Sequence, residues 1–178
     1  MTVRRSDLEE LGFTGFVPFA DLPTAEVPLG SGVYAVLRPA SERPTFLGDS
    51  PADRFKGRDP SVTQNVLQRK WVADADVIYI GKAAMGSNGR RGLRKRLDEY
   101  RKHGAGDAKA AHWGGRYIWQ LADSNDLLVA WLPTPDEDPE VIEARLIGVF
   151  RGATASLPFA NLKQGRRSNP LRDNTEQT

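Results

Sequence analysis

The chain has 178 residues, 39% of them hydrophobic and 27% charged, a balance that excludes an intrinsically disordered chain and suits one domain with its own core. With no cysteine, disulfides, thiolate catalysis and cysteine-ligated zinc are excluded. Net charge is only +2, and no apolar run approaches the roughly 18 residues of a membrane span, so no membrane partner is expected.

In chain order, the charged start Met1–Glu10 lacks the apolar core of a signal peptide, and a cytoplasmic protein is the expectation. Residues 1–30 place Phe13, Phe16, Phe19 and Leu22 among prolines and glycines, which reads as an irregular strap packed on the core. Ser31 to Leu37 is a short β-rich run closed by Pro39. Residues 39–76 form an insertion, rich in Pro, Gly, Ser and Asp to about Pro60 and with a short helix over 62–71. Val77 to Gly81 is apolar on both faces, which predicts a central strand. After the glycine-rich loop Ala83–Gly92, Leu93, Leu97 and Tyr100 fall on one stripe of a helix, and Gly104 is expected to end it as a left-handed cap. Residues 116–121 are ambiguous between helix and strand; Leu127–Leu132 is a strand closed by Pro133. Asp138-Pro139 opens a last helix that runs to about Gly152, and residues 167–178 are a polar tail. The order predicts one α/β (α+β) domain over 1–178: a small mixed or antiparallel sheet of about three core strands, flanked by helices.

Charge is unevenly placed. Residues 81–119 hold ten Lys or Arg against three acids, residues 120–143 hold seven acids and no Lys or Arg, and the chain from Ala144 has six basic residues against two acids. A charge run is usually a solvated face, but a basic segment beside an acidic one is also what a phosphate-binding groove with a cation site requires.

Several residues invite a chemical reading. On the last helix Glu143 falls between Phe150 and Ile147, inside the apolar arc, where a carboxylate is costly unless it is paired with an Arg or bound to a cation. Arg96 and Tyr100 lie four apart on one helix face. The loop 81–92 lacks the spacing of a nucleotide-binding phosphate loop, although Lys82, Arg90 and Arg91 remain available to nucleic-acid phosphates. His112 to Arg116 packs an imidazole, an indole and a guanidinium into one turn, and the plain reading is a tight turn anchored by Trp113. His103 and His112 are the only histidines, too few for a multi-histidine metal site.

Taken together, Gly32-Val33-Tyr34, Tyr79-Ile80-Gly81-Lys82-Ala83, Leu93 to Tyr100, Glu143 and Asn161 resemble the GIY-YIG nucleases over about residues 30–163. The resemblance implies a single divalent cation, Mg2+ or Mn2+, and hydrolysis of a phosphodiester. It makes Tyr34 and Tyr79 the paired tyrosines, Arg96 the catalytic arginine, Glu143 the metal ligand and Asn161 a site-lining amide; Tyr100 matches a position that is His in some members. Tyr34 is favoured as general base and Tyr79 as the group orienting water or phosphate, with Lys82 or the metal stabilising a phenolate. Both hydroxyls are expected to face Arg96 and Glu143 across one concave surface. Arg90, Arg91, Arg94, Lys95, Arg116 and Lys163 are the expected nucleic-acid contacts. Two departures stand out: Tyr34 and Tyr79 are 45 residues apart where minimal members use a short hairpin, and the loop before Leu93 is expanded. Members with such insertions resemble type II restriction enzymes. A DNA endonuclease of restriction or defence type follows, with double-stranded DNA as partner, a possible homodimer on it, and the insertion touching base edges or the second subunit. The competing readings are an idle nucleic-acid-binding module on the same scaffold and an unrelated structural domain.

Overall fold

In the computed structural model, residues 4–107, 109–110 and 112–163 are described; the expected polar tail lies outside them. The elements run α1 (Arg5–Glu10), β1 (Thr14–Pro18), β2 (Gly32–Leu37), α2 (Gln64–Lys70), β3 (Val77–Ala83), α3 (Leu93–Gly104), β4 (Leu128–Pro133) and α4 (Pro139–Thr154), with 3-10 turns at Phe19–Asp21, Arg116–Gln120 and Ser124–Asp126. This is a mixed α/β fold around an open sheet of four strands in the order β1-β4-β2-β3, every pair antiparallel.

Three expectations need correction. The N-terminal strap is not irregular: it supplies α1 and the fourth strand, β1, so the sheet exceeds three strands. β1 was hidden because it bulges between Gly15 and Val17, with Gly15 at φ 95° and Phe16 at φ 55°, so its side chains do not alternate. The Val77 strand is an edge strand and not a central one. Its outer side is nonetheless closed at one point by the segment 158–161: Ala160 N–H donates to Ile78 O at 2.9 Å, and the Asn161 amide both accepts from Ile80 N–H (2.9 Å) and donates to Ile80 O (2.8 Å). An edge covered this way carries the apolar signature of an interior strand. Finally, Gly104 is the last residue of α3; the left-handed residue is Gly106, at φ 81°. Gly104 is needed for another reason, since a Cβ there would overlap the Trp119 ring.

The sheet separates two cores. On one face Tyr34 and Val36 of β2 and Tyr79 of β3 pack with Leu93, Leu97 and Tyr100 of α3. On the other, Val33, Ala35 and Leu37 of β2 and Val77 and Ile80 of β3 pack with Ile142, Ile147 and Phe150 of α4. α4 starts where the sequence places it: the Asp138 carboxylate accepts from Glu140 N–H at 2.8 Å, with Pro139 in the first turn. Residues 38–76 connect β2 to its hairpin partner β3 and contain α2, as expected of an insertion.

Asn161 offers a direct check on the edge closure. Asn161→Ala strips partners from two buried backbone groups, at about 1–3 kcal/mol each. Urea unfolding should therefore show a loss of about 2–6 kcal/mol; a loss under about 0.5 kcal/mol would mean that the edge is not held by this amide.

Candidate active site at the outer edge of the sheet

Tyr34 stands directly opposite Gly81 in the β2–β3 register. A Cβ at Gly81 would overlap the Tyr34 ring and hydroxyl, so the glycine is what lets the tyrosines of the two strands converge. Their rings lie 6.0 Å apart, with Tyr100 at 6.3 Å from Tyr34 and 5.6 Å from Tyr79. Both Tyr34 and Tyr79 are buried, and burial pushes their hydroxyl pKa values above 10, that of Tyr79 well above. Both are neutral phenols at ordinary pH. Arg96 enters from α3, whose first turn is fixed by Leu93 N–H on Gly30 O (2.9 Å) and Arg94 N–H on Pro28 O (3.0 Å). The positive charge of Arg96, with the neighbouring Tyr79 hydroxyl, partly offsets the effect of burial on Tyr34.

The third partner of Tyr34 was not anticipated. His112 Nε2 lies 2.6 Å from the Tyr34 hydroxyl, and the imidazole is fully buried and stacked on Tyr100 with ring centroids 3.5 Å apart. Burial, reinforced by the positive charge of Arg96, holds the His112 pKa well below 6.5, so the ring is neutral and its Nε2 can accept the Tyr34 hydroxyl hydrogen. Its Nδ1 has no partner among the described residues. The tight turn expected around Trp113 exists, but it also delivers this ring to Tyr34. Glycine again permits the approach: a Cβ at Gly115 would collide with the Tyr100 hydroxyl, which donates to Gly115 O at 2.7 Å.

Glu143 comes from the opposite layer. Although α3 packs with the tyrosines on one face of the sheet and α4 packs on the other, Tyr34, Tyr79, Arg96 and Glu143 line one cleft at the outer end of β3. Lys82, next along β3 from Gly81, bridges the carboxylates of α4, 2.8 Å from Glu140 and 3.6 Å from Glu143. The ion pair foreseen for Glu143 is thus made by a lysine and not an arginine. Glu143 is 14% exposed at its side chain; burial raises its pKa, with Glu140 adding to the rise and Lys82 and Arg96 opposing it. It also lines a cleft and is not sealed in the apolar arc.

That cleft, about 300 Å³, is lined by Tyr34, Tyr79, Lys82, Arg91, Arg96 and Glu143. Past Tyr79, Lys82 and Glu143 it continues into a recess of about 510 Å³ with Trp113, Glu140, Asn161 and Lys163 on its walls. Asn161 lines it while its amide is committed to Ile80, and Tyr100 supports from behind. Arg91 borders the cleft and pairs with Glu99 at 2.8 Å, and with Arg90, Arg94 and Lys95 it also lines a neighbouring cavity of about 510 Å³ that includes Leu22, Val27 and Leu29. Arg94 also donates to Val27 O (2.9 Å). Arg116 lies over the Trp113 and Tyr117 rings, at 4.2 and 4.7 Å.

Divalent magnesium needs hard oxygen ligands, and one or two carboxylates completed by water and substrate phosphate suffice. Glu143, with Glu140 one helical turn away, fits that donor set, provided Lys82 gives way. No group of three or more His, Asp or Glu side chains able to hold a metal occurs among the described residues.

No family model matches the sequence, and no curated protein or solved structure matches the chain. No helix of the described residues is long and apolar enough to cross a membrane.

Proposed function

We propose that this chain is a metal-dependent endonuclease that hydrolyses DNA phosphodiester bonds on a GIY-YIG scaffold. One observation carries the reading: Tyr34, Tyr79, Lys82, Arg96 and Glu143, drawn from β2, β3, α3 and α4, converge on one cleft. In outline, Arg96 offers a planar fork of donors to the non-bridging oxygens of the scissile phosphate. A cation on Glu143 would supply positive charge for the leaving oxygen. As Arg96 turns from Tyr34 to the phosphate, it frees a lone pair on the tyrosine oxygen. The attacking water gives its proton to that oxygen while Tyr34 passes its own to His112 Nε2, and the bond from phosphorus to the leaving oxygen breaks; the transient charge then rests on the imidazole in place of a phenolate. This replaces the stabilised phenolate expected from sequence. Tyr79, beside Tyr34 on the cleft wall, orients the water. Double-stranded DNA, a homodimer that cuts both strands, and a role in restriction or defence complete the proposal.

A second reading, an idle nucleic-acid-binding module, is favoured by the Lys82 ammonium already lying between Glu140 and Glu143. Binding and cleavage of labelled genomic DNA, measured in parallel with Mg2+, Mn2+ and EDTA, separate the two. The nuclease cuts only with metal; the module binds in all three and cuts in none.

A further inference from the structure

Between Pro51 and Pro60 the chain reads Pro-Ala-Asp-Arg-Phe-Lys-Gly-Arg-Asp-Pro, and its centre is a two-residue hairpin turn. Phe55 and Arg58 exchange both backbone hydrogen bonds at 3.0 Å, with Lys56 at φ 51° and Gly57 at φ 75° between them. Two successive left-handed residues make a tight turn of the kind that ends β-hairpins. Asn, Asp or Gly adopts the first of these positions readily, whereas here it holds a lysine.

The stem of this projection is fixed by the core. The buried Gln120 amide accepts from Val62 N–H (2.9 Å) and donates to Val62 O (3.0 Å), Leu47 O and Gly48 O (3.3 Å each). Ser50 N–H closes the neck on Ser61 Oγ at 3.0 Å. Above it the tip is exposed and cationic. Arg54 pairs with Asp59 at 3.6 Å, while no carboxylate of the described residues pairs with Lys56 or Arg58. Phe55 ties the tip to the site: its ring lies 6.0 Å from that of Trp113, which lines the recess leading from Glu143.

We propose that the Lys56–Arg58 turn enters a groove of duplex DNA lying across the cleft, to one side of the scissile phosphate. The inference rests on the nuclease reading and deepens it, by naming the element that engages the duplex beyond the cut. Unpaired cations on a narrow, braced tip at the rim of a catalytic cleft complement the negative potential of a DNA groove. A turn of two residues is also slim enough to reach past the phosphates.

The test uses Glu143→Gln protein, which leaves DNA uncut, and compares it with the same protein also carrying Lys56→Gly and Arg58→Gln. Glycine accepts the left-handed turn, so the fold is retained, and equal melting temperatures confirm it. Fluorescence anisotropy with a labelled duplex and the corresponding single strand is followed across a KCl series. The turn variant should lose about tenfold or more in duplex affinity, and its salt slope should flatten by about two, while single-strand affinity shifts by less than about twofold. Unchanged duplex affinity and slope would overturn the groove contact and leave the nuclease reading intact. An equal loss on both substrates would overturn it too, reducing the turn to a phosphate contact. If the Glu143→Gln protein binds no DNA at all, the nuclease reading fails and this inference falls with it.

Discussion

Glu143→Gln should fold at least as stably as the parent in metal-free buffer, yet cut DNA at least about a thousandfold more slowly. The stability half follows from burial. The pKa of Glu143 is raised in the folded protein, so the folded state favours its protonated form, and the ionised form at neutral pH carries a desolvation cost. A carboxylate with a raised folded pKa stabilises below its unfolded value of about 4 and loses that contribution as pH rises through the folded pKa. An uncharged amide avoids the loss. The gap between variant and parent should therefore widen from pH 4 to pH 7 and close again in acid. Lys82 is not stranded by the change, because Glu140 remains 2.8 Å from its ammonium. The activity half follows from charge at the phosphate: a cation site worth about 4 kcal/mol in the transition state corresponds to a factor of about a thousand. If Glu143 served only as an ion-pair partner, the pattern would reverse, with stability lost by about 3 kcal/mol and activity falling only as the protein unfolds. Melting without metal and nicking with magnesium, on one preparation, distinguish the cases.

His112→Gln should lower the cleavage rate by about a hundredfold to ten-thousandfold while flattening the acid limb of the stability curve. Glutamine still offers an acceptor to the Tyr34 hydroxyl, but it cannot carry the proton away. The pH dependence has a definite sign. The His112 pKa is depressed in the folded protein, so the unfolded chain binds the proton first as pH falls below about 6.5. Stability is then lost on acidification, by up to about 1.4 kcal/mol per pH unit, and it is fully present above that pH. His103 is depressed as well, chiefly by burial, so the diagnostic quantity is the difference between parent and variant in urea unfolding from pH 7 to pH 5. A variant that keeps the parental cleavage rate would show that the 2.6 Å contact is structural and that the proton leaves by another route.

Much of the scaffold was legible in the sequence because its signals are local. The apolar runs of β2 and β3, the stripe Leu93-Leu97-Tyr100, and Asp138-Pro139 each mark an element whose bounds the structure matches within a few residues. What escaped depends on partners distant in the chain. β1 carries glycine and a bulge in place of alternation, and its status as a strand comes from pairing with β4. β3 reads as central because Asn161, 81 residues from Ile80, closes its outer side. His112 sits in an irregular segment with no periodicity to interpret, and its contact with Tyr34 spans 78 residues. A hint did exist. Gly114 and Gly115 follow one residue after it, and small residues close to a histidine mark a place where rings approach backbone closely. The pairing of Lys82 with two α4 carboxylates was likewise out of reach, since the helical wheel places Glu143 toward the core without showing that the core ends at a cleft there.

The most direct test of the proposed chemistry is relaxation of supercoiled plasmid by the purified protein, run with magnesium, with EDTA, and with the Glu143→Gln variant in magnesium. The proposed mechanism predicts open-circular and linear DNA in the first reaction alone. Plasmid that stays supercoiled with magnesium, or that is nicked equally well by the variant, would contradict it.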